Sequence, residues 1–409
     1  MPLGARKPVV LCLGDSNTHG SLAGAWVRDL AASLPGLHFI NTGRNGAQTI
    51  NVHQALDRNL RCATSVGPIV AATLLVGTND VMMSLALETG DVWGQRFYRY
   101  HNGYAGRADS GTFREHLNGL LNSIEGQLAA LGAASGLGDC DVSGGGGGGD
   151  GPAATAGAAQ LPVRVLVLTL PPLGEVLGHL HNLRVDEFNQ VIRELVLERQ
   201  RRQEQRRQAA GGVGGAGAPD GGVLIEEGMA SAPEGGAAGA GGSGSSGGGG
   251  VVAVEWVLLD LNARCKEAIR QNGGPGDCSN GNNNNSSSMN DAGVSKNGSC
   301  GQTAADGRMG DASTSGGSGS GGSNGGTRGG SNSAPYVTPR PRRCVPASYL
   351  SVGVGMLVCA LRRYLLRIPF DAQAAAAGTT VLSPDCIHLS DAGGRLVAGL
   401  LEPELRSLG

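Results

Sequence analysis

Five short, largely apolar runs lie along the chain, and segments with helical periodicity lie between most of them. The runs cover residues 9–13, 38–41, 69–76, 164–170 and 254–261. Apolar residues recur at helical spacing in 26–34, 48–60, 113–131, 185–205 and 392–405. Continuous apolar strands separated by helices are typical of a parallel sheet covered on both faces. With right-handed crossovers, this pattern predicts an α/β protein, a three-layer α/β/α sandwich with five parallel strands.

The glycine content dilutes this pattern, because 72 of the 409 residues are Gly. Most of the excess falls in residues 140–160, 209–250 and 271–343, which are rich in Gly, Ala, Ser and Asn and show no periodicity. Such stretches bury too little apolar surface to offset the entropy of ordering them. We therefore predict one domain spanning residues 1–409, interrupted by three low-complexity, disordered insertions. About 270 residues remain outside the insertions, which is the size of a single domain.

Charge and cysteine content narrow the class of protein further. The formal net charge of −2 does not indicate a nucleic-acid-binding protein. The nine cysteines are scattered without a CxxC pair, which argues against a disulfide framework or a structural zinc site. The eight histidines are dispersed and no HExxH motif is present, so no metal site is predicted. No signal-peptide pattern precedes the first apolar run, so the sequence predicts an intracellular, cytoplasmic location. The apolar stretch 347–361 is too short for a membrane span and is predicted to be a core helix or a lid.

Polar clusters follow the predicted strands where such a sheet carries its ligand site. They comprise residues 14–20, 41–46 and 77–80, and a fourth cluster at 385–389 precedes the last helix. Together they supply a hydroxyl, a carboxylate, an imidazole and several amide donors. A serine hydroxyl needs a base within hydrogen-bonding reach, and an imidazole oriented by a carboxylate suits that role. Asp385 and His388 are three residues apart, so one turn of chain places both side chains together.

These clusters resemble the sequence blocks of the SGNH hydrolases, also called GDSL-type esterases and lipases. The resemblance rests on Gly14-Asp15-Ser16, Gly46, the block from Gly77 to Asp80, and Asp385-x-x-His388, which occur in the family's order. It extends over residues 9–405 and implies the family's flavodoxin-like fold. It also implies a serine esterase or lipase that cleaves carboxylic esters through an acyl-enzyme, without a cofactor.

The resemblance implies a role for each matching residue. Ser16 would be the nucleophile, His388 the general base and Asp385 the residue that orients His388. The backbone N–H groups of Ser16 and Gly46 and the side-chain amide of Asn79 would form the oxyanion hole. Two alternatives stay open, since Gly43 is a second candidate for the glycine and His19 a second candidate for the base.

The substrate is expected to be a small-molecule ester, either a lipid or an acylated carbohydrate. Residues 81–111 are predicted to be a long connection whose aromatic side chains form a substrate pocket or pack on the core. Two other functions remain open: an acyltransferase that uses the same site, and a catalytically inactive binding or scaffold module.

Overall fold

The fold is built on one parallel sheet of five strands. A computed structural model describes residues 6–102, 108–135, 162–211, 253–272, 345–346 and 348–408. The strands are β1 (Val9–Gly14), β2 (His38–Asn41), β3 (Ile69–Leu75), β4 (Val163–Leu168) and β5 (Val254–Leu259). They lie in the order β2-β1-β3-β4-β5, and all neighbouring pairs are parallel. Every described residue belongs to one compact unit, which holds this sheet.

Helices connect the strands and cover the sheet. They are α1 (Ser16–His19), α2 (Trp26–Ser33), α3 (Thr49–Val66), α4 (Thr78–Glu88), α5 (Val92–Asn102), α6 (Ser110–Ser135), α7 (Leu180–Gly211), α8 (Leu261–Gln271), α9 (Tyr349–Tyr364), α10 (Phe370–Ala377) and α11 (Asp391–Arg406). Helices α3, α6 and α7 pack against one another on one face, whereas α2, α8 and α11 form the other layer.

Two apolar cores lie on the two faces of the sheet, as the side-chain alternation of a strand requires. In β1, Val9, Leu11 and Leu13 belong to the core beneath α3, α6 and α7. Val10 and Cys12, between them, belong to the core beneath α2, α8 and α11. Every residue of β1 is buried, which explains why this strand is continuously apolar in the sequence. The predicted fold class, a three-layer sandwich with a five-stranded parallel sheet, is confirmed.

The prediction of a long irregular connection over residues 81–111 is wrong. Helices α4 and α5 occupy most of this segment, and a two-helix hairpin joins β3 to α6. Asp91 begins α5, because its Oδ1 accepts the backbone N–H groups of Trp93 and Gly94 at 3.0 and 3.2 Å. That is the capping role in which aspartate stabilises the first turn of a helix. Trp93, Phe97, Tyr98 and Tyr100 therefore lie on a helix, whereas Tyr104 lies outside the described residues.

The apolar stretch 347–361 also differs from its prediction as a core helix. It forms most of α9, yet only Val352 and Cys359 of that helix are buried. The remaining apolar side chains are partly or fully exposed, because α9 packs on the domain through one narrow face. No helix in the described parts of the chain has the length and apolarity needed to span a bilayer.

The predicted insertions fall mainly outside the described residues. All of 140–160, as well as 212–250 and 273–343 from the other two, lies outside them. Residues 209–211, which were assigned to the second insertion, form the last residues of α7. The division into one domain with three insertions and the intracellular location stay predictions.

Candidate active site

The strand order places the polar clusters at one edge of the sheet. β1 lies between β2 and β3, so the chain leaves β1 toward one side and returns on the other. The carboxyl ends of β1 and β3 are adjacent there, with Gly14 paired to Leu75. Parallel α/β sheets carry a crevice at this kind of switch point. Ser16 follows β1 directly, and Asn79 follows β3.

A tight turn presents Ser16 at the end of β1. The Oδ1 of Asp15 accepts the backbone N–H of Asn17 at 2.9 Å and caps the single-turn helix α1. Gly14 is required before it, because a Cβ there would lie 2.4 Å from the carbonyl oxygen of Leu75. The chain therefore passes close to β3 and turns sharply, which leaves Ser16 as the first residue of α1.

Ser16, His388 and Asp385 form one hydrogen-bonded chain. The Oγ of Ser16 lies 2.9 Å from Nε2 of His388. The Nδ1 of the same imidazole lies 2.8 Å from Oδ2 of Asp385. All three residues are buried, although 372 positions separate the serine from the histidine. These are hydrogen-bonding distances between a hydroxyl, a base and the group that orients the base.

The loop from Leu382 to Leu389 holds the carboxylate and the imidazole together. An antiparallel bridge between those two leucines closes the loop. Within it, Oδ1 of Asp385 accepts the backbone N–H groups of Ile387 and His388, each at 3.0 Å. The oxygen facing the imidazole is therefore Oδ2, and the backbone fixes the carboxylate's rotation.

Cys386 lies in the turn between Asp385 and His388. Its φ of +65° is in the left-handed region, which non-glycine residues rarely adopt. Its carbonyl accepts the N–H of Gly174 at 2.8 Å. Cys386 is disulfide-bonded, a feature that the scattered cysteines did not predict. These constraints hold the turn in a conformation that places the aspartate and histidine side chains on one side.

The electrostatics of the pair favour a charged carboxylate beside a basic imidazole. Burial alone would raise the pKa of Asp385, but the imidazole of His388 and the N–H groups of the loop hold that pKa below its usual value. For His388, burial acts to lower the pKa, and the carboxylates of Asp385 and Asp15 together outweigh burial and raise the pKa. An imidazole stabilised in this way accepts a proton readily.

Asn79 lies beside the predicted oxyanion glycine. Its Nδ2 donates to the carbonyl of Ala47, the residue after Gly46, at 2.9 Å. Its Oδ1 accepts the hydroxyl of Tyr98 at 3.0 Å, which fixes the orientation of the amide. Gly46 has a φ of +74°, a left-handed conformation that favours glycine. The structure therefore brings the second and third sequence blocks together.

The two alternative candidates, Gly43 and His19, make different contacts from those of Gly46 and His388. The N–H of Gly43 donates to Oδ1 of Asn41 at 2.9 Å, so it is engaged within its own turn. His19 is exposed, and its Nδ1 lies 2.8 Å from Oγ of Ser21. Of the two histidines considered as the base, only His388 is hydrogen-bonded to Ser16.

The sequence interpretation assigned no chemistry to Asn17, which links the two halves of the site. The backbone N–H of Leu389 donates to Oδ1 of Asn17 at 3.0 Å. This bond joins the residue after Ser16 to the residue after His388. A polar residue directly following the nucleophile was a signal that could have suggested such a link.

Glu175 was also missed, and it supports the loop that carries Asp385. Its buried carboxylate accepts the backbone N–H groups of Thr380, Val381 and Leu382 at 2.7 to 3.0 Å. The hydroxyl of Thr380 donates to it as well, at 3.1 Å. A carboxylate that accepts several backbone N–H groups makes strong, charge-assisted hydrogen bonds. About two hundred residues separate the partners, so no local sequence pattern signals this contact.

Two further carboxyl groups are buried near the site. Burial raises the pKa of Asp15 to about 6, although the N–H of Asn17 and the charge of His388 act to lower it. Burial likewise raises the pKa of Asp80 to about 7. The Oδ2 of Asp80 accepts the N–H and the hydroxyl of Thr49 at 3.0 and 3.1 Å. Asp80 therefore ties the turn after β3 to the start of α3.

An aromatic residue of α5 flanks the oxyanion glycine. A Cβ built on Gly46 would lie 3.4 Å from the ring of Phe97. Tyr98, the next residue, is only 1 % exposed and reaches Asn79 from the other side of the helix. Of the predicted aromatic residues, these two therefore lie at the site. Among the described residues, no group of three or more His, Cys, Asp or Glu side chains is placed to hold a metal ion.

Comparison with solved structures gives likenesses to esterases. The chain is similar to the acetyl xylan esterase AlAXEase at 13 % identity, over 46 % of this chain and 73 % of that one, with a TM-score of 0.30. It is similar to Axe2, an acetylxylan esterase from Geobacillus stearothermophilus, at 13 % identity, over 48 % and 75 % of the two chains, with a TM-score of 0.31. For the esterase AlinE4, carrying a substitution, the identity is 14 %, the coverage 48 % and 74 %, and the TM-score 0.29.

No family model matches the chain, and no curated protein does. The parallel sheet brings all four sequence blocks to one edge, the arrangement that the resemblance to the SGNH hydrolases implied. At these identities, the reaction has to be argued from the geometry of the site.

Proposed function

We propose that this protein is a serine hydrolase that cleaves carboxylic esters through an acyl-enzyme on Ser16. The observation that carries the proposal is the buried chain of hydrogen bonds from Ser16 through His388 to Asp385. A hydroxyl is a weak nucleophile at neutral pH, and an imidazole at 2.9 Å is positioned to remove its proton as it attacks.

In the first half of the reaction, the Oγ of Ser16 forms a bond to the ester carbonyl carbon while its proton moves to Nε2 of His388. The carbonyl π electrons move to oxygen, which gives a tetrahedral oxyanion. Asp385 stabilises the imidazolium through Nδ1. The intermediate collapses, the bond to the alcohol oxygen breaks, and the imidazolium gives its proton to the leaving alkoxide. An acyl-enzyme and a free alcohol result.

In the second half, water takes the place of the alcohol. His388 removes a proton from the water, whose oxygen bonds to the acyl carbon, and the second tetrahedral intermediate then releases Ser16. The protonated imidazole returns the proton to the serine oxygen. The products are a carboxylic acid and the restored hydroxyl, so atoms and charge balance. If an alcohol acceptor replaces water here, the same site acts as an acyltransferase.

The oxyanion is proposed to be stabilised by the backbone N–H groups of Ser16 and Gly46 and by the side-chain amide of Asn79. Three observations support this set. Asn79 contacts the residue after Gly46, the hydroxyl of Tyr98 fixes its amide, and the switch point brings it beside the end of β1. Fixed donors aimed at a developing charge are among the largest contributions to such catalysis.

The proposal is tested with p-nitrophenyl acetate and matched pairs of variants. Ser16→Ala is expected to lower kcat by on the order of 10⁴-fold or more, because the nucleophile is lost. Ser21→Ala, at a neighbouring, partly exposed serine, is expected to leave kcat nearly unchanged. His388→Ala and His19→Ala form the second pair, and only the first is expected to inactivate the enzyme. Full activity in folded Ser16→Ala would overturn the mechanism.

The substrate class is proposed to be small carboxylic esters, of lipids or of acylated carbohydrates. A screen of p-nitrophenyl esters of graded acyl length against acetylated sugars would separate the two. Product analysis with and without an added alcohol would distinguish hydrolysis from acyl transfer. If none of these esters is turned over and a fluorophosphonate does not label Ser16, the domain is a binding module instead.

A further inference from the structure

Helix α9 presents an unusual number of large apolar side chains to solvent. Leu350, Val354, Leu357 and Leu361 are each between 50 and 60 % exposed. Their spacing of four, three and four residues places them on one side of the helix. The apolar surface continues past the helix end, where Leu365 is 74 % exposed.

Helix α5 adds exposed aromatic side chains next to α9. Trp93 is 59 % and Tyr100 88 % exposed. The two helices are joined at Tyr349, whose N–H donates to Oδ2 of Asp91 at 2.6 Å and whose ring lies 4.8 Å from that of Phe97. We use the name apolar face for the exposed side chains Trp93, Tyr100, Leu350, Val354, Leu357 and Leu361.

This apolar face is connected to the candidate active site. Trp93, Phe97 and Tyr100 follow one another at helical spacing, so they form one stripe along α5. The middle residue of the stripe, Phe97, is the one that flanks Gly46. On the other helix, a Cβ built on Gly355 would lie 3.4 Å from Asp385. Both helices that carry the face therefore also contact the site.

The charged side chains on α5 and α9 are all basic, and one acidic residue, Asp91, lies at the junction of the two helices. Neither α5 nor α9 contains an aspartate or a glutamate. The exposed arginines Arg96 and Arg99 on α5, and Arg362 and Arg367 on and after α9, form no ion pair with the described residues. Exposed apolar and aromatic side chains bordered by arginine are typical of helices that lie in the interface of an anionic membrane.

The composition of the neighbouring insertion argues against that segment as the occupant. Residues 273–343, which precede α9 in the chain, contain no Leu, Ile, Phe or Trp. A segment of that composition buries little apolar surface and could not offset the cost of ordering itself on the face.

We propose that α5 and α9 dock on the surface of an anionic lipid bilayer, with the apolar face in the headgroup region and the four arginines against the lipid charges. The docked enzyme would receive ester substrates from that surface along the stripe that ends at Phe97. The docking itself stands apart from the proposed hydrolase activity, and the delivery of substrate rests on it.

Vesicle binding tests the docking. The probes are vesicles of phosphatidylcholine alone and of phosphatidylcholine mixed with phosphatidylglycerol, and the full chain is sedimented with each. Binding is expected to the mixed vesicles and to fall by about fivefold for each arginine changed in Arg362→Glu and Arg367→Glu. Arg58→Glu, an exposed arginine of α3, is the control and should bind as the unchanged protein does.

A second pair of variants tests the contribution of the apolar side chains to vesicle binding. Leu357→Asp is expected to weaken binding by about tenfold or more, because it places a charge where the exposed leucine would enter the headgroup region. Leu197→Asp, an exposed leucine of α7, should have no effect on binding. Hydrolysis of p-nitrophenyl acetate, a soluble ester, should be unchanged in both variants, which shows that the site and the fold persist.

Tryptophan fluorescence reports the same event directly. Trp26 and Trp256 are buried, so a blue shift on adding vesicles would come from Trp93 and should vanish in Trp93→Phe. Ser16→Ala should bind vesicles normally, so failure of the hydrolase proposal and failure of docking are distinguishable. The docking proposal is overturned if neither kind of vesicle binds, if both bind equally, or if Leu357→Asp only converts a dimer to a monomer.

Discussion

The carboxylate of Glu175 accepts the backbone N–H of Val381 at 2.7 Å, four residues before Asp385, whose own carboxylate is hydrogen-bonded to the imidazole of His388. Glu175 follows β4, whereas Val381 belongs to the loop before α11. This bond joins the carboxyl edge of the sheet to the loop, which is also bonded to Asn17 and Gly174. The position of Asp385 therefore depends on a residue outside the four sequence blocks.

We expect Glu175→Gln to lower both the stability and kcat. The amide keeps one acceptor oxygen but turns an NH₂ group toward backbone donors, and unpaired buried groups cost about 1–3 kcal/mol. Urea unfolding and the pH dependence of kcat provide the measurements. If Glu175 positions the Asp385–His388 pair, the acid limb of the profile moves to lower pH, which a purely structural defect would not cause.

The control for this variant is Glu267→Gln, an exposed glutamate on α8. It should change neither property. Unchanged urea unfolding and an unchanged pH profile in Glu175→Gln would contradict the positioning role.

The contact of Glu175 also shows which part of the site could not be predicted from the sequence. The central strands β1, β3 and β4 were predictable because burial on both faces makes them largely apolar, and the blocks were predictable because the polar residues follow strand ends. Glu175 gave no comparable signal, since its partners are backbone groups and any sequence could supply them. Its role arises from tertiary packing alone.

Two substitutions at the proposed oxyanion hole are expected to lower kcat by different amounts. Asn79→Ala should lower kcat by about 10²–10³-fold through loss of a donor to the transition state. Tyr98→Phe removes only the hydroxyl that fixes the amide, so a smaller loss, of about tenfold, is expected with little change in KM. Steady-state kinetics with p-nitrophenyl acetate measure both, and equal effects of the two changes would contradict this assignment.

Helix α5 was missed because residues 81–111 were predicted to be a long connection carrying several aromatic residues. In the structure, Gly94 lies where a Cβ would be 2.9 Å from Ala86 and 3.2 Å from Tyr349. Gly94 permits close packing of the helices here. A single sequence does not show whether a glycine allows such packing or forms a turn.

The activity should depend on pH through His388. The base must be neutral, and the carboxylate of Asp385 raises its pKa. We therefore expect kcat/KM to rise with pH through an acid limb that lies above the ordinary histidine value of 6.5. In Asp385→Asn the limb should move to lower pH while kcat falls by about 10⁴-fold. A limb below pH 6 in the unchanged enzyme would contradict this assignment.

Asp80 should make the protein less stable as the pH rises. Its pKa is about 7 in the folded state against 3.8 for the free group, so between these values the folded state binds more protons than the unfolded state. The free energy of unfolding contributed by this group therefore falls from about pH 4 to pH 7. Asp80→Asn removes the titration and should flatten this part of the profile, as measured by urea unfolding.

The matched control is Asp57→Asn, an exposed aspartate on α3. It should leave the slope between pH 4 and 7 unchanged. An identical slope in Asp80→Asn and the unchanged protein would show that Asp80 is ionised in the folded state at low pH.

Trapping the acyl-enzyme tests the central claim most directly. The protein is mixed with p-nitrophenyl acetate, quenched in acid within the first turnover and digested for mass spectrometry. The account predicts one acetyl group on the peptide that contains Ser16, a burst of p-nitrophenol matching the enzyme concentration where deacylation limits turnover, and neither in Ser16→Ala. Hydrolysis of the ester with the acetyl group on another residue, or with equal turnover by Ser16→Ala, would contradict it.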